Sequence, residues 1–208
     1  MKIVFKFFIF SLLFCTILTS CTQKNYNGTV KNDTDIKSFV AAPTPTDLVN
    51  NSYYRIIEFA SIPSADDQAV LRSPGIKILE YIPENAYLVE IATDFKKEIL
   101  LNTAAQFIRT LSLSDKVNNQ LQNWNIPTHA QAGSKAKVAV VAMKALLAKD
   151  FQSDLKAVGL TVDSYGGDPR FAYLTLSEAE MKKVAELPWV RYIELIDEEG
   201  TPETEGGK

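Results

Sequence analysis

Apolar positions come first as one block, Phe7 to Leu18, interrupted only by Ser11 and Thr16 and preceded by Lys2 and Lys6. A charged start and an apolar run too short for a comfortable membrane span predict a secretory signal peptide over residues 1–20. Residues 22–51 are polar, rich in Asn, Thr, Lys and Asp, with Pro43 and Pro45 near the end. So few of them could fill a core that the expectation is a flexible tether. From Tyr53 the pattern alternates between strand and helix periods.

The folded part reads as one unit written twice. In the first, over 52–115, strands are expected at Tyr53–Ala60, Ile76–Tyr81, Tyr87–Ile91 and Ile108–Ser114. Ser64 with Asp66 and Asp67 opens a helix that Ser73-Pro74-Gly75 stops. A second helix is expected over Asp94–Gln106, where Phe95, Ile99, Leu100 and Ala104 share a face. In the second unit, over 137–197, strands are expected at Val138–Met143, Leu160–Tyr165, Phe171–Leu176 and Val190–Asp197. Leu147, Phe151, Leu155 and Val158 mark a helix ended by Gly159. Ser177 and Glu180 form a capping box ahead of Met181, Val184 and Leu187.

Both units therefore run β-α-β-β-α-β. Gly75-Ile76 matches Gly159-Leu160, Ala86-Tyr87-Leu88 matches Ala172-Tyr173-Leu174, and Ile108-Arg109 matches Val190-Arg191. The fold class expected is α+β, as two tandem ferredoxin-like antiparallel-sheet domains. Residues 116–136 link them, with Trp124, Ile126 and Pro127 suited to packing, and 198–208 form an acidic tail.

The chain has 208 residues, 46% hydrophobic and 10% aromatic, which excludes a disordered chain. With 22 basic against 25 acidic residues, no cationic excess exists to neutralise phosphates, so nucleic acid is a poor partner. Two Cys and one His are too few for a structural zinc site or a disulfide framework, and no metal or cofactor is expected. His129 sits in a polar linker, where a surface role outweighs a catalytic one. Gly166-Gly167 lacks the setting and the lysine of a phosphate cradle and reads as a turn. Asp197, Glu198, Glu199, Glu203 and Glu205 read as a solvated tail. Tyr53, Tyr54, Tyr81, Tyr87, Tyr173 and Tyr192 are expected to be sheet and core aromatics, not a binding platform.

Leu18-Thr19-Ser20-Cys21 resembles the lipobox of bacterial lipoproteins, with a small residue before the thiol that takes the lipid. The resemblance implies export, loss of residues 1–20 together with Cys15, and acylation of Cys21 as a bilayer anchor at the start of the 21–51 tether. Thr22 after the cysteine favours the outer membrane.

Tyr53-Tyr54-Arg55-Ile56-Ile57-Glu58-Phe59, followed by Gly75-Ile76-Lys77-Ile78-Leu79-Glu80-Tyr81-Ile82-Pro83-Glu84-Asn85-Ala86-Tyr87-Leu88-Val89, resembles the N-terminal prodomain of secreted bacterial subtilisin-family serine proteases, more specifically the two-part, fervidolysin-like kind. Trp189-Val190-Arg191-Tyr192-Ile193-Glu194 and Gly200-Thr201-Pro202-Glu203 resemble the junction between such a prodomain and its protease. The resemblance spans roughly 53–205. It implies a partner: a subtilisin-like serine protease, in cis or in trans, whose folding the chain assists and which it then inhibits. It also implies that the sheet packs on the enzyme and that the tail, Ile196, Asp197, Glu198, Glu199, Gly200, Thr201 and Pro202, lies in the substrate cleft by strand addition. No Asp-Thr-Gly, His-Gly-Thr or Gly-Thr-Ser-Met-Ala element is present, so the chain itself is not expected to be an enzyme. A stand-alone regulator and the prodomain part of a protease precursor are both consistent with this pattern. The alternative is a non-catalytic envelope module with another partner.

Overall fold

The computed structural model describes residues 33–196. The expected signal peptide, Cys21 and residues 197–208 lie outside the described residues. The architecture is α+β, with two antiparallel sheets and few helices.

The first half begins before the point the polar composition suggested. Strand β1 (Thr34–Asp35) pairs with the last strand of the first sheet, and α1 (Ile36–Ala41) follows. The Asp35 side chain caps α1 by accepting the Ser38 backbone N–H at 3.0 Å. Ile36 and Phe39 are buried, and the Phe39 ring lies 6.4 Å from that of Tyr53. The Lys97 ammonium ties down the end of α1 by donating to the Phe39 carbonyl at 3.0 Å and to that of Ala42. The flexible tether expected over 21–51 is thus corrected from Asp33 on. Two well-spaced apolar side chains and one cap suffice to dock a six-residue helix.

Strand β2 (Ser52–Phe59), α2 (Ala65–Val70), β3 (Ile76–Ile82) and β4 (Ala86–Ala92) follow the predicted order. Glu84 and Asn85 take positive φ, 70° and 64°, in the β3–β4 turn, as the twist of a tight hairpin requires. The helix expected over Asp94–Gln106 is corrected. Only a 3-10 turn, Lys97–Asn102, forms, and β5 (Ala105–Arg109) starts soon after. The buried Asp67 carboxylate accepts the Ala104 N–H at 2.7 Å, removing a donor that a continued helix would need. The strand expected over Ile108–Ser114 is also shorter. Ser112 and Asp115 form a capping box that opens α3 (Leu113–Lys116).

The linker is packed. It holds α4 (Asn119–Gln122), a 3-10 turn at Thr128–Ala130 and β6 (Gln131–Ala132). Val117, Leu121 and Ala130 are fully buried, and Val117 forms a parallel bridge with Ile193.

The second half continues with β7 (Lys135–Ala142), a 3-10 turn at Ala148–Phe151 running into α5 (Gln152–Ala157), β8 (Ser164–Tyr165), β9 (Phe171–Leu176), α6 (Glu178–Glu186) and β10 (Val190–Leu195). The strand expected over Leu160–Tyr165 pairs only at its last two residues. The first sheet has the order β1-β5-β2-β4-β3 and the second β10-β7-β9-β8, with every pairing between neighbours antiparallel.

The internal match slips by one residue at its middle anchor. Tyr87 pairs with Ile57 and faces α2 and the 97–102 turn, with Val89 and Ile91. Its sequence counterpart Tyr173 points away from the helices, while Ala172 and Leu174 face them. Side chains alternate along a strand, so a shift of one residue exchanges the faces.

The core is not divided by halves. One cluster joins α1, α2 and one face of the first sheet, through Tyr53, Ile57, Val89, Ile91 and Ile108. The other runs from the opposite face of that sheet, through Tyr54, Ile56 and Leu88, past Val117 and Leu121, into the core of the second half around Trp189. Trp189 stacks on Phe151 at 4.9 Å. The first sheet is therefore a middle layer.

The expected capping box on α6 is present. Ser177 accepts from the Glu180 N–H, and Glu180 accepts from the Ser177 N–H at 2.7 Å and from Lys135 at 3.0 Å. Those donors hold the Glu180 carboxyl down at about 2. A depressed carboxyl stabilises the fold above its unfolded value, and that stabilisation is lost as pH falls from about 4.5 toward 2. Ser177→Ala is expected to cost about 1 kcal/mol in thermal unfolding at pH 7. Glu180→Gln is expected to flatten the acid limb of the melting profile in that window.

Candidate protein-interaction interface

Alternation on β7, β9 and β10 gives the second sheet two apolar faces. Val138, Val140, Ala172, Leu174 and Ile193 point to α5 and α6. On the opposite face Val141 pairs with Phe171 and Tyr192, and Ala139 pairs with Tyr173 and Glu194. Lys137 and Thr175 complete it. Val141, Phe171, Tyr173 and Tyr192 are half-buried, and none belongs to or packs against either core cluster. Among the described residues, neither core cluster covers this face of the second sheet.

Partial burial, then the Glu194 carboxylate, raises the Tyr173 and Tyr192 hydroxyl pKa values. Both tyrosines therefore stay neutral hydrogen-bonding groups on an apolar surface, the combination enriched at protein interfaces. Gly166 borders the face. A Cβ there would stand 2.9 Å from the Phe171 Cβ and 3.2 Å from the Tyr173 hydroxyl, so only glycine lets the β8–β9 turn close over them.

The exit of β10 is set by register. The Ile196 N–H donates to the Lys137 carbonyl at 3.2 Å. The next β7 positions, Ala136 and Lys135, pair with Gln131 and Ala132 of β6. Ala136 also pairs with Leu176 of β9, so β6 occupies the β10 side of β7. A longer β10 would find its partner groups already taken.

Of the sequence-derived candidates, Ile196 is at this exit, and Asp197, Glu198, Glu199, Gly200, Thr201 and Pro202 lie outside the described residues, as does Cys21. His129 is exposed in the 128–130 turn, and Gly166-Gly167 is a turn, as expected. Tyr53 and Tyr54 are core residues, Tyr87 packs against the first core, and Tyr81 is exposed beside it at 5.6 Å. Tyr173 and Tyr192 lie on β9 and β10 as sheet aromatics, outside both core clusters. The sequence signal for this second face is Phe171, Tyr173 and Thr175 interleaved with Ala172, Leu174 and Leu176, which makes both faces of β9 largely apolar or aromatic.

Two charged groups are buried at the junction of the halves. Arg109 is paired with Glu58 at 2.7 Å and Asp115 at 2.6 Å. Lys116, only 4% exposed, donates to the carbonyls of Ala185 and Leu187 at 2.8 and 2.9 Å, capping the C-terminal end of α6. Arg191 of β10 pairs with Glu80 of β3 at 2.6 Å and donates to the Asp115 carbonyl, adding a second tie. Among the described residues no group of His, Cys, Asp or Glu is arranged to hold a metal ion, and no helix is long and apolar enough to cross a membrane.

A family described as "Domain of unknown function (DUF8729)" matches residues 23–112. That range covers under half of the chain, takes in the whole first sheet and stops just before α3. No curated protein and no solved structure matches the chain.

Burial, then the nearby Arg191 charge, depresses Lys116 from 10.5 to about 8. The unfolded chain thus holds this proton to higher pH than the folded one, so stability rises as pH goes from about 8 toward 10.5. The full gain is about 3 kcal/mol at most. Melting between pH 7.5 and 10 is expected to show this rise in the wild type and to lack it in Lys116→Met.

Proposed function

We propose that this chain is a non-catalytic, exported binding protein that acts as subtilase prodomains do, assisting the folding of a subtilisin-like serine protease and then inhibiting it. In this reading Cys21 is acylated and anchors the chain to a bilayer of the bacterial envelope, and the protease is supplied in cis or in trans. Both sheets are variants of the ferredoxin-like β-α-β-β-α-β arrangement. What supports this is the order last-first-third-second in each half once β1 and β6 are set aside.

The observation that carries the functional reading is the β10 exit beside an uncovered sheet face. Such a sheet can pack on the enzyme surface through Val141, Phe171, Tyr173 and Tyr192. Because β6 fills the next β7 positions, β7 offers no free partner groups to a continuation of β10 past Ile196. An extended segment there can add as a strand to another protein's cleft. A folded unit behind it lowers the ordering cost of that segment. The sheet roles are unequal: the first sheet has a core cluster on each face, so the second supplies the contact.

Inhibition kinetics test this with residues 22–208 and a subtilisin-family protease, beginning with one encoded beside this chain. Tight inhibition is expected. Truncation after Ile196 is expected to weaken it a hundredfold or more, roughly 3 kcal/mol, and Tyr192→Glu about tenfold. Inhibition unchanged by both variants sinks the surface assignment. Absence of both inhibition and folding assistance assigns the open face to another envelope partner.

A further inference from the structure

We propose that the cleft between the two halves binds a small carboxylate with an apolar body, anchored by Lys116. The cleft has a volume of about 450 Å³, within the range of small-molecule sites. It is walled by the Tyr54 ring, Leu111, Leu113, Ala185 and Pro188, so most of the lining is apolar. It lies where the first sheet, the 111–116 segment and the end of α6 meet, and two of these elements belong to different halves.

The charge balance selects the ligand. Asp47 on the rim is held by both guanidinium nitrogens of Arg55 at 2.8 Å, and Lys182 is paired with Glu178. Lys116 forms no ion pair among the described residues. Two of its three N–H donors go to carbonyls, which leaves one donor and a full positive charge on a side chain lining the cleft. Nearby Arg191 adds positive charge from the β10 side, and the two carboxylates that act on Lys116, Asp47 and Asp115, are each held by an arginine, Arg55 and Arg109. Glu186 stands on the rim and disfavours multiply charged anions, so a single carboxylate is the best fit. A buried, unpaired ammonium gains most from a partner that is both charged and desolvated with it. Free aliphatic acids and peptide ends with apolar side chains share this chemistry.

The site is independent of the open sheet face, so its failure leaves the inhibitor reading standing. The test uses the full chain and calorimetric titration at pH 7 with octanoate below its micelle concentration and with N-acetyl-Leu-Leu, against octanol and octylamine. Saturable binding of at least one acid and of neither control is expected. Lys116→Met is expected to weaken it tenfold or more. Thr110→Trp, which crowds the exposed rim without entering either core, is expected to do the same while leaving the melting temperature unchanged. No binding by either acid, equal binding by octanol, or binding unaffected by Thr110→Trp overturns the assignment.

Discussion

A sheet with apolar side chains on both faces needs a layer on each side. The first sheet presents Tyr53, Ile57 and Val89 on one face and Tyr54, Ile56 and Leu88 on the other, all nearly or completely buried. Exposing side chains of this size costs about 1.5–3 kcal/mol each, so a bare second face would cancel much of a small domain's stability. Segment 111–126 and the second half supply the missing layer. The architecture follows from that need: α1, α2 and the 97–102 turn on one side of the first sheet, the second half on the other.

The junction is made specific by polar ties. Lys116 reaches the terminal carbonyls of α6, Arg191 reaches Glu80, and Arg109 gathers Glu58 and Asp115 at the base of α3. The Lys116 and Arg191 ties join the two halves, and the Lys116 and Arg109 pairings satisfy groups that burial would otherwise leave as orphans. The result is asymmetric. One sheet has a core cluster on each face, the other has Val141, Phe171, Tyr173 and Tyr192 on a face that neither cluster covers, and β6 occupies the β7 positions next to the end of β10. An apolar sheet face carried on one packed body suits contact with another protein.

The second half was legible where a single local rule decides the outcome. The β9 alternation, the Ser177–Glu180 box and the stops at Gly159 and Pro188 all act within a few residues. The first half was less so, because distant groups decide it. Asp67 captures the Ala104 N–H across 37 residues of chain and ends what the periodicity marks as a helix. Ile36 and Phe39 lie in a polar stretch whose composition hides two core side chains. The Ala-Tyr-Leu match located equivalent strands and still put its tyrosines on opposite faces, since similarity of three residues does not fix register. For the same reason the open face escaped detection: an aromatic on a strand is a core residue or a surface residue according to what the rest of the chain lays over it.

The dependence of the first sheet on the second half is tested most directly by equilibrium urea unfolding of the whole chain. Tryptophan fluorescence, from Trp124 and Trp189 outside the first sheet, would be followed beside far-ultraviolet circular dichroism, which reports both sheets. The shared core predicts one cooperative transition with coincident midpoints from the two probes. Two separated transitions, with the first sheet persisting after the tryptophan signal is lost, would contradict it.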